Sequence, residues 1–208
     1  MPMRRWLLAG LLATVLVGGC GDRSEDVKQV VIDNDGAFDD IKAVLYLLER
    51  PDVEVLAITV SGTGVAHCPV AAENIAAMLD RIDAPEIPVA CGRSTPLRGD
   101  NQAPEVWRTT ADTLGGVDLP AAPELGDTTA TELLADTLAD TDDLVVVALG
   151  PLTNLAEVFD ADPELTDRVE MMYLMGGAVE TGGNVFWANP AAEFNIWADA
   201  LAAEMVFA

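Results

Sequence analysis

The chain has 208 residues, half of them hydrophobic, with 35 acidic side chains against 11 basic ones and a formal charge of −24. That length and apolar content suffice for one sizeable core. So acidic a surface repels the phosphates of nucleic acids and anionic lipid headgroups, which argues against a polynucleotide substrate and leaves a neutral small molecule or a cation as the natural ligand.

Residues 1–19 read as a signal peptide: a basic start through Arg4 and Arg5, an apolar stretch from Trp6 to Val17, then Gly18-Gly19 before Cys20. The apolar stretch is too short to span a bilayer. A cysteine after this pattern resembles the lipobox of bacterial lipoproteins. That resemblance implies cleavage before Cys20, lipidation of its thiol, and a polar tether through residue 28 holding the rest outside the cytoplasmic membrane. Loss of Arg4 and Arg5 leaves the exported chain more acidic still.

Residues 29–208 read as one α/β domain. Val30-Val31-Ile32 is an apolar run ending in Asp33-Asn34-Asp35-Gly36-Ala37-Phe38-Asp39-Asp40. Ile41, Val44, Leu45 and Leu48 then recur at helical spacing, and Pro51 breaks the pattern. Val53–Val60 is a second strand and Ser61–Gly64 a turn. Pro69–Ile82 is a helix, with Ile75, Met78, Leu79 and Ile82 on one face, and Pro88–Cys91 a short strand. Cys68 and Cys91 admit a disulfide in an exported protein, or two buried free thiols. From Gly92 to Asp127 the periodicity lapses, which suggests a functional loop or lid. Thr129–Leu138 and Leu152–Phe159 read as helices around a buried strand, Leu144–Leu149. Asp140–Asp143 reads as a solvated turn. Val169–Met175 is a further strand and Asp199–Phe207 a helix. Strands alternating with helices predict a Rossmann-like open, mostly parallel sheet with helices on both faces.

The acidic octapeptide lies where a buried strand meets a helix, at the sheet edge where ligands of open α/β folds collect. Asp33 and Asp35 alternate off the strand tip, and Asp39 and Asp40 enter the first helical turn. Carboxylates this close repel one another. A hard divalent cation would relieve that repulsion, and oxygen-only ligands suit calcium or magnesium. The plainer alternative is a helix cap among solvated acids.

Three segments together resemble the nucleoside hydrolase family, the inosine-uridine-preferring ribohydrolases: the octapeptide, Leu149-Gly150-Pro151-Leu152-Thr153-Asn154, and Met175-Gly176-Gly177 with Gly183-Asn184 and Ala192-Glu193-Phe194-Asn195-Ile196. The resemblance implies Ca2+ held by Asp35, Asp40 and the main-chain carbonyl of Leu149, with Asp33 supporting the cluster. It implies that Asp35 orients a metal-bound water and accepts its proton. Asp39, Asn184, Glu193 and Asn195 would hold the ribose of a nucleoside, with Met175 packed against it. Carboxylates and amide oxygens suit the positive charge that builds on ribose as an N-glycosidic bond breaks. An unperturbed aspartate is a weak base with a pKa of about 4, so proton removal is expected late. Self-association into a homo-oligomer is compatible with this reading.

Departures from the family pattern centre on a few positions. Gly36-Ala37 stands where Pro-Gly is usual, and alanine tolerates positive φ less well than glycine. Thr63 is nearest to a position that usually holds a sugar-binding asparagine, and Asn189 rivals Asn184. Family members run on past the equivalent of Ala208 and bring a histidine for the leaving base and a further metal-binding aspartate, so this chain is expected to lack the carboxy-terminal third. His67, the only histidine, is expected to be structural, and so are Thr153-Asn154. Among Trp107, Trp187 and Trp197, Trp187 is the best placed to stack on a base. Two other readings remain: a non-catalytic nucleoside- or sugar-binding lipoprotein, and a phosphohydrolase of the haloacid dehalogenase type, although no lysine follows Lys42.

Overall fold

The computed structural model describes residues 27–208. The signal peptide, Cys20 and most of the tether lie outside the described residues. Strand β1 (Lys28–Asn34) is followed by α1 (Phe38–Leu48), β2 (Val53–Val60), α2 (Cys68–Arg81) and β3 (Val89–Cys91). Then come α3 (Glu105–Asp112), α4 (Ala130–Asp140), β4 (Leu144–Ala148), α5 (Thr153–Ala161), a 3-10 turn (Pro163–Arg168) and β5 (Val169–Leu174). Two helices, α6 (Phe194–Ala198) and α7 (Ala200–Phe207), complete the described chain.

The five strands form one parallel sheet in the order β3-β2-β1-β4-β5. In β1 successive side chains face opposite layers. Val30 and Ile32 join Val44, Ile58, Ile75 and Met78 beneath α1 and α2. Val31 joins Leu134, Leu138, Val146 and Leu155 beneath α4 and α5. Both faces of the central strand are therefore covered, which is why its apolar residues run without interruption. Removing most of the fully buried Ile32 side chain would cost about 2–5 kcal/mol.

Helix α4 begins with a capping box: Glu132 N donates to Thr129 Oγ1 at 3.2 Å, and Thr129 N donates to Glu132 Oε2 at 2.9 Å. The stretch after Gly92 departs from expectation, because α3 interrupts it. This helix turns Arg108 and Ala111 inward and leaves Val106 and Trp107 exposed. Its apolar residues thus give no inward periodicity. Cys68 and Cys91 are joined in a disulfide, since the start of α2 and the end of β3 meet at one corner of the sheet. Asp142 and Asp143 are solvated as expected, but Thr141 beside them is buried.

The order of strands places β1 between β2 and β4. The chain winds outward from β1 through β2 to β3, then crosses back to β4. The carboxyl ends of β1 and β4 consequently flank the point where the winding reverses, and a crevice opens there.

Candidate functional site

The loop after β1 is shaped by its own polar groups. Asn34 Nδ2 donates to the Thr59 carbonyl at 2.8 Å, and Gly36 N donates to Asn34 Oδ1 at 2.9 Å. Gly36 has φ +75°, and a Cβ there would lie 2.7 Å from the Ala71 Cβ. Ala37 is extended, with φ −67°. Positive φ therefore falls on the glycine alone, and the Gly36-Ala37 departure from the family pattern costs nothing in backbone strain.

Asp40, in the first turn of α1, reaches back so that Asp35 N donates to its Oδ2 at 2.8 Å. Ala37 N donates to Asp35 Oδ1 at 3.1 Å. Two turns close on Asp35 from either side: a Cβ on Gly64 would fall 2.1 Å from the Asp35 Cβ, and one on Gly150 2.8 Å from it. Only glycine permits such an approach. On the β4 side, Leu149 N donates to the Asp33 carbonyl at 2.8 Å, which orients the Leu149 peptide.

Asp33, Asp35 and Asp40 are at most 2% exposed, whereas Asp39 is exposed. The alternative of solvated acids around a cap does not hold for these three, and α1 has no side-chain cap. Burial raises Asp33 to about 7, partly offset by hydrogen bonds from Asn154 and Thr59. Burial also raises Asp40 to about 6. Asp35 is held well above the ordinary carboxylate range, by burial first and then by the charge of Asp40, whose carboxyl it faces. Asp35 is thus not the unperturbed weak base that its residue type implies. Asp40 Oδ1 and Asp33 Oδ2 are buried without a hydrogen-bond partner, a costly arrangement for charged oxygens.

A cavity of about 250 Å³ opens over this cluster. Asp35, Asp39 and Asp40 line it, and Leu149 and Met175 reach it from the ends of β4 and β5. Asn184, Glu193 and Asn195 line the same cavity, together with Ala37, Val65, Trp107 and Phe194. Every residue expected to touch metal or sugar therefore lines one cavity. Asp33 does not. Its Oδ1 accepts from Thr59 Oγ1 at 2.7 Å and Asn154 Nδ2 at 2.8 Å, so it braces the cluster from behind rather than pointing alongside Asp35.

Glu193 and Asn195 do more than fill a loop. Glu193 starts α6, accepting from Asn195 N, Ile196 N and Gly177 N at 3.0–3.1 Å. Asn195 Nδ2 donates to the carbonyls of Leu149 at 2.7 Å and Met175 at 2.9 Å, tying α6 to the ends of β4 and β5. Asn184 lines the cavity, whereas Asn189 is outside it and accepts from Ala191 N.

Trp107, not Trp187, lines the cavity; Trp187 packs behind it edge-on, ring centroids 4.8 Å apart. Thr63 is buried away from the cavity and bonds Ser61 and Thr153. His67 is structural, its Nδ1 2.7 Å from Asp112 Oδ2. Asn154 proves more than a helix start, because its side chain holds Asp33. Neither this contact nor Trp107 is legible locally, because each partner comes from a distant element.

Calcium can be tested against these residues. Among the described residues no three His, Cys, Asp or Glu side chains converge as a metal site. Two facing carboxyls and the Leu149 carbonyl nonetheless form an all-oxygen set with one buried oxygen lacking a partner. A hard cation fits that set.

Comparison with known proteins agrees with the fold. The chain is 37% identical over 186 residues to a pyrimidine-specific ribonucleoside hydrolase, RihA, of Escherichia coli, covering 86% of this chain and 56% of the relative. It is 33% identical over 181 residues to a probable uridine nucleosidase of Oryza sativa, covering 86% and 55%. A plant nucleoside hydrolase structure superposes with a TM-score of 0.75 at 36% identity, over 87% of this chain and 57% of that one. A purine-preferring ribonucleoside hydrolase from Gardnerella vaginalis gives 0.74 at 29% identity, over 86% and 57%. The chain thus spans little more than half the length of the relatives it matches. The sequence profile of the inosine-uridine preferring nucleoside hydrolases matches residues 30–208, and the chain belongs to that family.

Proposed function

We propose that this protein hydrolyses the N-glycosidic bond of ribonucleosides, releasing ribose and free base, with a calcium ion at Asp35, Asp40 and the Leu149 carbonyl. The observation that carries the reading is one cavity at the sheet's switch point lined by buried, facing carboxyls together with Asn184, Glu193 and Asn195. Calcium, when bound, supplies positive charge that neutralises the paired carboxylates and acidifies water.

The chain's own residues then divide the work. Asp35, held on the cavity wall by the turns at Gly64 and Gly150, takes a proton from the attacking water. The water oxygen bonds to C1′ as the C1′–N bond breaks, the electron pair leaves with the base, which takes up a proton from solvent, and Asp35 afterwards returns its own proton to solvent. Asp39, Asn184, Glu193 and Asn195 grip the sugar hydroxyls and stabilise its growing positive charge. Met175 and Trp107 offer apolar surface to the bound nucleoside.

Export through residues 1–19 and lipid anchoring at Cys20 complete the proposal, supported by the sequence pattern alone. Relatives named for pyrimidine and for purine preference both match, so inosine and uridine are both test substrates. Ribose release from either in calcium, abolished by a chelator and restored by calcium, is the expected result. No release in calcium would refute the hydrolase reading in favour of a nucleoside-binding lipoprotein, and release indifferent to chelator would refute the metal.

A further inference from the structure

Arg108 is 4% exposed and donates to no carboxylate. Its Nη1 donates to the Gly64 carbonyl at 3.1 Å, and its Nη2 to the carbonyls of Ala66 at 3.3 Å and Gly62 at 3.5 Å. Its Nε donates to His67 Nε2 at 3.2 Å. That nitrogen must therefore be the acceptor, which puts the imidazole hydrogen on Nδ1, facing Asp112 Oδ2. Asp112 Oδ1 accepts from His67 N at 2.8 Å. Arg108 and Asp112, four residues apart on one face of α3, thus clamp the Ala66–His67 peptide from both ends. Burying a guanidinium is costly. Here it is spent entirely on shaping the loop between β2 and α2.

That loop forms one of the two turns that close on Asp35. Gly64 sits against its Cβ, Val65 lines the cavity beside it with its N–H favouring the charged carboxylate, and Ala66 N donates to its carbonyl at 3.0 Å. The carbonyl of Gly64 and the N–H of Val65 belong to one trans peptide and so point in opposite directions. Arg108 holds the carbonyl end, which turns the N–H end toward Asp35. With the peptide reversed, a carbonyl oxygen would face the carboxylate and repel it.

We propose that Arg108 is a positioning residue: it pins the Gly64–Val65 peptide so that its N–H faces Asp35, and it seats α3 so that Trp107 walls the cavity. The inference rests on the hydrolase reading for its kinetic consequence, and on the Arg108 and Ala66 hydrogen bonds together with the close approach of Gly64 for the peptide's orientation.

The test compares Arg108→Met, which keeps the stem and loses every donor, with Arg108→Lys, which keeps the charge without the fork. Arg98→Met, at an exposed position outside the cavity, is the control. Three readouts are taken on the full chain after circular dichroism has verified folding: the Val65 amide resonance, calcium affinity by calorimetry, and kcat and KM for inosine. Arg108→Met is expected to move the Val65 amide, weaken calcium and lower kcat by about 10- to 100-fold each, and change KM little. Arg108→Lys recovers part of each loss, and Arg98→Met changes none.

An unmoved Val65 amide with calcium affinity retained in a folded Arg108→Met chain overturns the proposal. If that variant does not fold, the same result in a folded Arg108→Gln chain, which loses the charge and the guanidinium fork, overturns it. Should the parent chain bind calcium but release no ribose, the hydrolase reading fails by itself, and the amide and calorimetric readouts still judge Arg108.

Discussion

Asp33 provides the sharpest physical test, because it is an acid held wholly inside the protein. Its Oδ1 is bonded to Thr59 and Asn154 and its Oδ2 is bare. Burial, opposed by those two hydrogen bonds and reinforced by the charge of Asp40, takes it from the ordinary 3.8 to about 7. In the unfolded chain it returns to about 3.9. Between those values the folded protein holds a proton that the unfolded chain has released. The resulting stability is present in full below the lower value and is lost as pH rises through the upper one. Each pH unit between them is worth about 1.4 kcal/mol, so Asp33 alone accounts for about 4 kcal/mol, of which about 3 kcal/mol is lost between pH 5 and pH 8. Asp35 and Asp40 are raised too and act with the same sign. Urea titrations followed by tryptophan fluorescence, in chelator and across that range, should show stability falling as pH rises. For an m-value of about 2 kcal/mol per molar, the part due to Asp33 moves the midpoint by about 1.5 M. Asp33→Asn keeps the Oδ1 acceptor and removes the titration, so its profile should be flatter by that amount. Parallel profiles for parent and variant would refute the claim that Asp33 is protonated by burial.

Two further perturbations address the frame of the site. Gly64→Ala brings a Cβ to 2.1 Å from Asp35, an overpacking that should cost about 1–3 kcal/mol and displace the carboxylate; calorimetry should show calcium affinity lost. Gly182→Ala, which meets nothing within 4 Å, should stay within about 0.5 kcal/mol of the parent, and equal behaviour of the two would count against close packing on Asp35. Reducing the Cys68–Cys91 disulfide, which spans 23 residues of sequence, should remove about 3 kcal/mol and lower Tm by about 10 °C. A Tm indifferent to reductant would show that the bridge does not constrain the unfolded chain.

The amino-acid sequence by itself determined whatever depends on near neighbours along the chain. Val53–Val60 was legible to the residue as β2, and Val30–Ile32 lies within β1, because apolar runs bounded by turns carry their own signal. The acidic octapeptide at a strand-to-helix junction, and the likeness of its spacing and of the later segments to one family, located the candidate site. Tertiary structure alone decided which elements meet. Nothing local says that β4 lies beside β1 and so brings Leu149 against Asp35, that Asn184 and not Asn189 faces the cavity, or that Cys68 finds Cys91. Helix α3 shows the reason. It turns a charged side chain inward and exposes a tryptophan, an arrangement opposite to the usual pattern. It is stable because three carbonyls and an imidazole from a loop some forty residues earlier in the chain await that charge. A buried arginine takes its meaning from its acceptors, and those are brought to it only by folding.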